Sequence, residues 1–383
     1  MNGFPWSCGR ALVRWVFVLA LVRWVFVLAL GAGTLTAPAG FADEPDLSPV
    51  LVEMVDGVII PAYADFAAKA DEEVLAVAAL CNDPGENGLA AARKGFGSLV
   101  DAFSRVEALR FGPAREGNRF EKLFFWPDRR GRGLRQVEGL IRERDPTALD
   151  ADQLAGKSVA VQGLLALDFT LSDDEAESAL LQKGNYRCGY ALALSRRIAA
   201  TAHELHADWN GPAGYGNQMK NAGPDQLVYR SSGEAMQEIL RAASEMLTID
   251  REFKIAGVIG GNRKETKVKK APFWRSGLWL RAVDGNIAFV EALFAGDTLA
   301  AKLDDENETL PKELRFELEQ ARKAVAKASG LPANDRGIAG FSEEAYGLLS
   351  YVSAPLQGAA DIVESRLPQA LGLVLGFNSL DGD

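Results

Sequence analysis

One carboxylate stands in a segment that is otherwise apolar or uncharged. Residues 161–171 read VQGLLALDFTL, and Asp168 is the only charged residue among them. On a helix at about 100° per residue, this side chain falls within about 55° of the centre of the apolar face. A buried carboxylate costs several kcal/mol unless a cation, a metal or hydrogen-bond donors compensate it. The pattern therefore predicts a partner for Asp168 elsewhere in the chain, either in a structural ion pair or in a functional site.

The chain has two histidines, His203 and His206, in the segment HELH. Histidines three residues apart on a helix can share a metal, but the zinc-peptidase signature H-E-x-x-H spaces them by four. Helical periodicity places His206 at the edge of the apolar stripe and His203 on the solvent side. This placement favours ordinary surface positions over a metal site.

Helical periodicity is the main secondary-structure signal along the chain. Apolar residues recur at helical spacing in at least seven segments, whereas strand alternation is scarce. The clearest segments are residues 50–80, 89–111, 186–209, 230–258, 271–296, 311–329 and 341–367. The sequence therefore predicts an all-α bundle protein. Residues 211–229, rich in Gly, Pro and Asn, form the best internal boundary or long loop.

The first 42 residues have the pattern of a secretory signal peptide. They contain Arg10, Arg14 and Arg23 but no acidic residue, followed by an apolar run at 24–30 and small residues at 31–42. We expect cleavage after Ala42, with Ala39 as the alternative. An uncleaved anchor is the second interpretation, although Arg23 interrupts the apolar stretch that a membrane span needs.

Charge and cysteine content narrow the classes of partner and the compartment. Without the three arginines of residues 1–42, the chain has 39 basic and 52 acidic residues, a net charge of −13. This excess argues against nucleic acid and anionic lipid as partners, and we expect no membrane span after signal cleavage. In an exported protein a pair of cysteines is more often bonded than free, so we predict a disulfide between Cys81 and Cys188.

Several separated blocks of the chain resemble the imelysin-like family of bacterial envelope proteins. In order, they are residues 110–113, 125–128, 163–168, 187–188, 272 with 275–277, and 376–379. The family signature is a G-x-H-x-x-E helix. At the matching positions this chain has Gly163, Leu165 and Asp168, so the acid is shortened and the histidine is replaced by leucine. Gly163 would let a neighbouring backbone approach closely, because it has no Cβ.

The resemblance implies two packed helical bundles, residues 43–215 and 216–383, within one imelysin-like region of about residues 50–370. It also implies a site at their junction in a periplasmic protein linked to iron uptake. The cofactor stays open, with iron or another divalent metal as the candidates. Iron-uptake envelope proteins are the expected partners. We place Arg110, Asp128, Arg275 and Ser276 nearest to Asp168. A guanidinium such as that of Arg275 could pair with the buried carboxylate in bidentate geometry.

The missing histidine weakens the peptidase assignment that the family carries. A zinc hydrolase needs three protein ligands and a general base, and no residue here is assigned a catalytic role. The leading hypothesis is a non-peptidase that binds a ligand or metal at an interdomain cleft. The alternatives are a metal-dependent peptidase or hydrolase with an atypical G-x-L-x-x-D site, and a structural or adaptor protein of the envelope.

Overall fold

The computed structural model of the protein describes residues 45–331, 336–337 and 340–373. The predicted signal peptide, residues 1–42, and the block at 376–379 lie outside the described residues. Within the described ranges, none of the helices combines the length and the hydropathy that crossing a membrane requires.

The first half of the described chain is built on three long helices. Helix α1 (Ser48–Met54) continues through a π-helical turn (Val55–Ile59) into α2 (Ile60–Asn82), and α3 (Glu86–Ser104) follows. Next come α4 (Arg119–Leu123), α5 (Arg132–Glu143), α6 (Ala151–Ala155), α7 (Leu164–Ser172), α8 (Ala176–Leu180) and α9 (Tyr186–Trp209). Helix α2 packs against both α3 and α9, and a disulfide between Cys81 and Cys188 joins the end of α2 to the start of α9.

The second half contributes the remaining helices and one small hairpin. The helices begin with α10 (Tyr215–Lys220) and α11 (Ser232–Thr248), which runs through a π-helix (Ile249–Ala256) into α12 (Gly257–Ile259). They continue with α13 (Trp279–Leu293), α14 (Asp297–Ala300), α15 (Leu310–Gly330), α16 (Glu343–Asp361), a π-helical turn (Ile362–Arg366) and α17 (Leu367–Ala370). Strands β1 (Arg336–Gly337) and β2 (Gly340–Phe341) pair antiparallel. Helix α15 packs against α16 and α13, and α13 also packs against α3.

The described residues confirm the predicted all-α class. They belong to one compact unit by their contacts, so the boundary between residues 215 and 216 stays a prediction. Buried apolar side chains line α2, α3, α9, α11, α13, α15 and α16 and form a continuous core. The helical spacing of those side chains is the local reason why these segments form helices.

Three predicted helices have different bounds in the structure. The segment 89–111 leaves the helix after Ser104 and turns over residues 105–108. In the segment 161–171, the first residue is the end of a short 3₁₀ turn (Val159–Val161). Helix α7 starts only after Gly163, whose backbone is extended. In the segment 271–296, Phe273 and Gly277 have positive φ angles of 53° and 72°. Such angles are incompatible with a right-handed helix, so α13 begins at Trp279.

Candidate functional site

Helix α7 places Asp168 inside the protein, as its position in the apolar pattern predicts. The side chain is 2% exposed. At the start of α7, a Cβ on Gly163 would lie 2.3 Å from the carbonyl oxygen of Leu123 and 2.4 Å from that of Lys122. Only glycine allows this approach, so the close contact expected at Gly163 is present, and it holds the first turn of α7 against the end of α4.

The partner of Asp168 is a tight turn 108 residues further along the chain. The backbone N–H of Ser276 donates to Asp168 Oδ1 at 3.3 Å. The N–H of Leu278 and the hydroxyl of Ser276 both donate to the carbonyl oxygen of Phe273, at 3.0 and 3.2 Å, and close the turn. Asp168 therefore anchors residues 273–278 to α7 through hydrogen bonds to the main chain.

Burial raises the pKa of Asp168 to about 6, well above its ordinary value. Hydrogen bonding by Ser276 and the positive charge of Arg275 act in the opposite direction but do not offset the loss of solvation. The carboxyl group can therefore change its ionisation near neutral pH.

Arg275 lies beside this carboxylate without forming the expected ion pair. No nitrogen of its guanidinium is within 4.0 Å of an Asp168 oxygen. The predicted bidentate contact is therefore wrong, because the backbone of the turn, and not the guanidinium, faces Asp168. The Arg275 guanidinium carbon lies 4.3 Å from the centre of the Trp274 ring and 4.9 Å from that of Phe169.

Two further cations contact the same rings. Lys269 Nζ lies 5.3 Å from the centre of the Trp274 ring, and the Arg187 guanidinium carbon lies 5.6 Å from that of Phe169. We call Phe169, Arg187, Lys269, Trp274 and Arg275 the cation–aromatic cluster. Its members come from α7, α9 and the loop before α13, so the cluster joins three separate parts of the chain.

The structure places Asp128 and Arg110 in other arrangements. Asp128 accepts the N–H groups at the start of α5, from Arg132, Gly133 and Leu134, at 2.9, 2.8 and 3.2 Å. These contacts make it a helix cap. Arg110 pairs with Glu107 at 2.9 Å and lies 4.5 Å over the Phe120 ring. Of the residues expected around Asp168, Arg275 and Ser276 are therefore the two brought to it.

The sequence pattern did not point to a buried polar network that the structure contains. Glu107, Asp250, Lys254 and Asn286 are all fully buried. Lys254 Nζ donates to Glu107 Oε2 at 2.8 Å and to Asn286 Oδ1 at 2.7 Å, and it pairs with Asp250 Oδ1 at 3.1 Å. Asp250 and Lys254 are four residues apart on one helical segment, a spacing that suits an ion pair and is the one sequence signal that could have revealed the network.

The ionisable groups of this network differ in how well they are compensated. Burial opposes the charge of Glu107, but Lys254 and Arg110 hold its pKa below the ordinary value. Burial raises the pKa of Asp250 to about 7 despite the nearby Lys254. Glu73 lies outside this network, in α2. It is fully buried and has no hydrogen-bond partner among the described residues, and burial raises its pKa to about 9.

The residues around Asp168 do not fit a metal site. Leu165, at the position of the family histidine, is a half-buried apolar side chain. Across the described ranges, no three His, Cys, Asp or Glu side chains come together in a group that could hold a metal ion. His203 instead contacts the exposed Asp71, with 2.9 Å between Nε2 and Oδ2. The side chains that the structure places at Asp168 therefore supply no set of metal ligands.

A cavity of about 490 Å³ lies at another place, between α15, α16 and the π-helical turn that follows α16. Its lining includes Glu313, Phe316 and Arg366. None of its lining residues belongs to the Asp168 site or to the cation–aromatic cluster, so this concavity is not the predicted interdomain cleft.

Solved structures share the fold of this chain. An imelysin-like protein from Psychrobacter arcticum 273-4 is 21% identical with a TM-score of 0.67, covering 86% of this chain and 96% of its own. A protein described as an iron-regulated protein A precursor, from Parabacteroides distasonis ATCC 8503, is 19% identical with a TM-score of 0.65, covering 86% and 98%. No curated protein matches the chain. The family model for imelysin, peptidase M75, matches residues 59–347, and the chain therefore belongs to the imelysin family.

Proposed function

We propose that this chain is an exported, non-peptidase member of the imelysin family that binds a ligand where α7 meets the turn at residues 273–278. The observation that carries the proposal is the state of Arg275. Its half-buried guanidinium packs on two aromatic rings, yet among the described residues it has no ion pair and no hydrogen-bond acceptor. An arginine held in this way is ready to bind a partner from outside the chain.

Export and a role in iron uptake rest on different support. The basic and apolar pattern of residues 1–42 and the disulfide between Cys81 and Cys188 both fit an exported protein in the periplasm. The link to iron comes from the family and from a structural relative described as iron-regulated. We propose iron-uptake proteins of the envelope as the functional partners.

Binding accounts for the geometry better than peptide hydrolysis does. A zinc peptidase needs a set of ligands around an open metal position, and at the family motif this chain offers Leu165 and one acid that already accepts a backbone N–H. One observation favours the second candidate, a hydrolase. Asp168 has a pKa of about 6, in the range where a carboxyl group can act as a general acid or base.

Native mass spectrometry of the protein, purified from the periplasm without chelator, tests the proposal. We expect a bound small molecule that is absent after denaturation, and a polypeptide mass showing that the signal peptide has been removed. The variant Arg275→Gln should lose the bound mass. Arg196→Gln, at an exposed arginine of α9, should keep it.

A peptidase assay with added zinc or iron separates the two candidates. We expect no turnover of peptides by the wild-type protein. Metal-dependent turnover that Asp168→Asn abolishes would establish the hydrolase instead. If no ligand is bound and no turnover occurs, the chain is a structural or adaptor protein.

A further inference from the structure

We infer that the ligand at this surface is a small carboxylate anion, held by the guanidinium of Arg275 with Lys269 as the second cation. The inference rests on the proposed function, because it names the class of ligand for the same surface.

The guanidinium of Arg275 has donors available for a ligand. A guanidinium carries five N–H donors in a planar fork that matches a carboxylate in bidentate geometry. Contact with Trp274 and Phe169 limits the orientations of this side chain and removes part of its solvation. No carboxylate oxygen of the described residues lies within 4.0 Å of its nitrogens, so an external carboxylate can supply the missing acceptors.

Four acids act on the charge of Arg275. They are Asp168, Asp173, Glu138 and Asp174. Asp173 is already bound by Arg187, with contacts of 2.6 and 3.2 Å. Asp168 is committed to the backbone of the turn.

The other two acids, Glu138 and Asp174, are exposed, so water and salt screen their charges. Together the four acids still make the surroundings partly negative. The negative surroundings favour a carboxylate group, which carries one negative charge, over a phosphate group, which carries nearly two negative charges.

The loop that carries Lys269 is held in place beside Arg275. The 3₁₀ turn Val268–Lys270 is fixed to the rest of the protein, because the indole N–H of Trp126 donates to the carbonyl oxygen of Lys270 at 3.1 Å. Lys269 itself is exposed and lies over the Trp274 ring that also contacts Arg275. Lys269 and Arg275 both contact the Trp274 ring, so Lys269 is the cation we assign to a second carboxylate group of the ligand.

Isothermal titration with citrate as the probe tests this inference on the full mature chain with its disulfide intact. We expect citrate to bind the wild-type protein and to bind more weakly as salt is added. Arg275→Gln should weaken binding roughly 10- to 100-fold, the range for one hydrogen bond to a charged group.

Four further variants complete the citrate titration. Lys269→Gln, at an exposed position that the fold does not need, should weaken binding by a smaller factor. Arg275→Lys should fall between wild type and Arg275→Gln, because it keeps the charge but loses the fork. Arg196→Gln and Lys94→Gln remove exposed charges elsewhere and should bind citrate like the wild type.

The outcomes separate this inference from the proposed function. Citrate binding that is unaffected by Arg275→Gln and Lys269→Gln, or equally reduced by both control variants, would overturn the inference. Inorganic phosphate binding more tightly than citrate, with the same dependence on Arg275, would also overturn it. If native mass spectrometry finds a neutral or cationic ligand that Arg275→Gln releases, the proposed function stands and the carboxylate class fails. If no ligand is found and citrate gives no heat, both fail.

Discussion

Replacing Asp168 by asparagine removes an ionisable group from the core while it keeps the size of the side chain and the oxygen that accepts the Ser276 N–H. Burial raises the pKa of Asp168 from 3.8 to about 6, so the fold disfavours the ionised carboxylate. At about 1.4 kcal/mol per pKa unit, full ionisation lowers the free energy of unfolding by roughly 3 kcal/mol.

The sign of this effect sets the expected pH profile. Because the pKa is higher in the folded state than in the unfolded state, the stabilising contribution of the protonated group is complete below pH 3.8. It is lost as the pH rises to about 6 and does not return above that value. The free energy of unfolding of Asp168→Asn, relative to wild type, should therefore increase by roughly 2 kcal/mol between about pH 4 and pH 8.

Urea unfolding followed by circular dichroism, with the disulfide intact, measures this difference at each pH. Asp250 and Glu73 titrate in both proteins and cancel in the comparison. Asp174→Asn is the matched control, since it makes the same change at an exposed position nearby and should give a flat difference. A flat profile for Asp168→Asn, or a loss of stability relative to wild type that grows towards pH 8, would contradict the raised pKa of Asp168. Either result would mean that Arg275 holds Asp168 ionised throughout.

Three other substitutions test the packing and the buried charges, each by urea unfolding at pH 7. Gly163→Ala forces a Cβ to within 2.3 Å of the Leu123 carbonyl oxygen, and we expect a loss on the order of 3 kcal/mol. Replacing both Cys81 and Cys188 by serine opens a link between residues 107 apart and should cost about 4 kcal/mol. Lys254→Met leaves the buried Asp250 without its cation and Glu107 with Arg110 alone, and should cost about 3–5 kcal/mol.

Matched variants show whether these losses have the stated causes. Gly139→Ala adds the same methyl group to α5, where the nearest other atom lies 3.9 Å away, and should stabilise the protein by about 0.5–1 kcal/mol. Lys94→Met removes an exposed lysine and should have little effect. If Gly163→Ala is as stable as the wild type, the end of α4 can move away from α7. A Lys254→Met protein as stable as wild type would show that the two carboxylates are already protonated.

The long helices were predictable because their signal is local. Residues 186–209 carry helical periodicity over their whole length, and α9 has these same bounds in the structure. The burial of Asp168 followed from the same pattern, since only its own helix was needed to place it on the apolar face. The close contact at Gly163 was likewise predictable from the absence of a Cβ alone.

The partners of these residues were harder to predict because they depend on tertiary structure. Sequence alone favoured an ion pair between Asp168 and Arg275, but the positive φ angle of Phe273 turns the backbone so that its N–H groups reach the carboxylate first. That angle is rare for a phenylalanine and leaves no mark in the sequence. The role of Asp128 as a helix cap depended on where α5 begins, which periodicity defines poorly.

The buried network around Lys254 limits how this sequence can change over time. Glu107, Asp250 and Asn286 surround one ammonium group from three distant segments, and each is out of reach of water. Loss of the Lys254 charge would leave Asp250 in the core without a cation, so a replacement of Lys254 is tolerable only with a compensating replacement at another position. We expect these positions to vary in step among related proteins, either all polar or all apolar together.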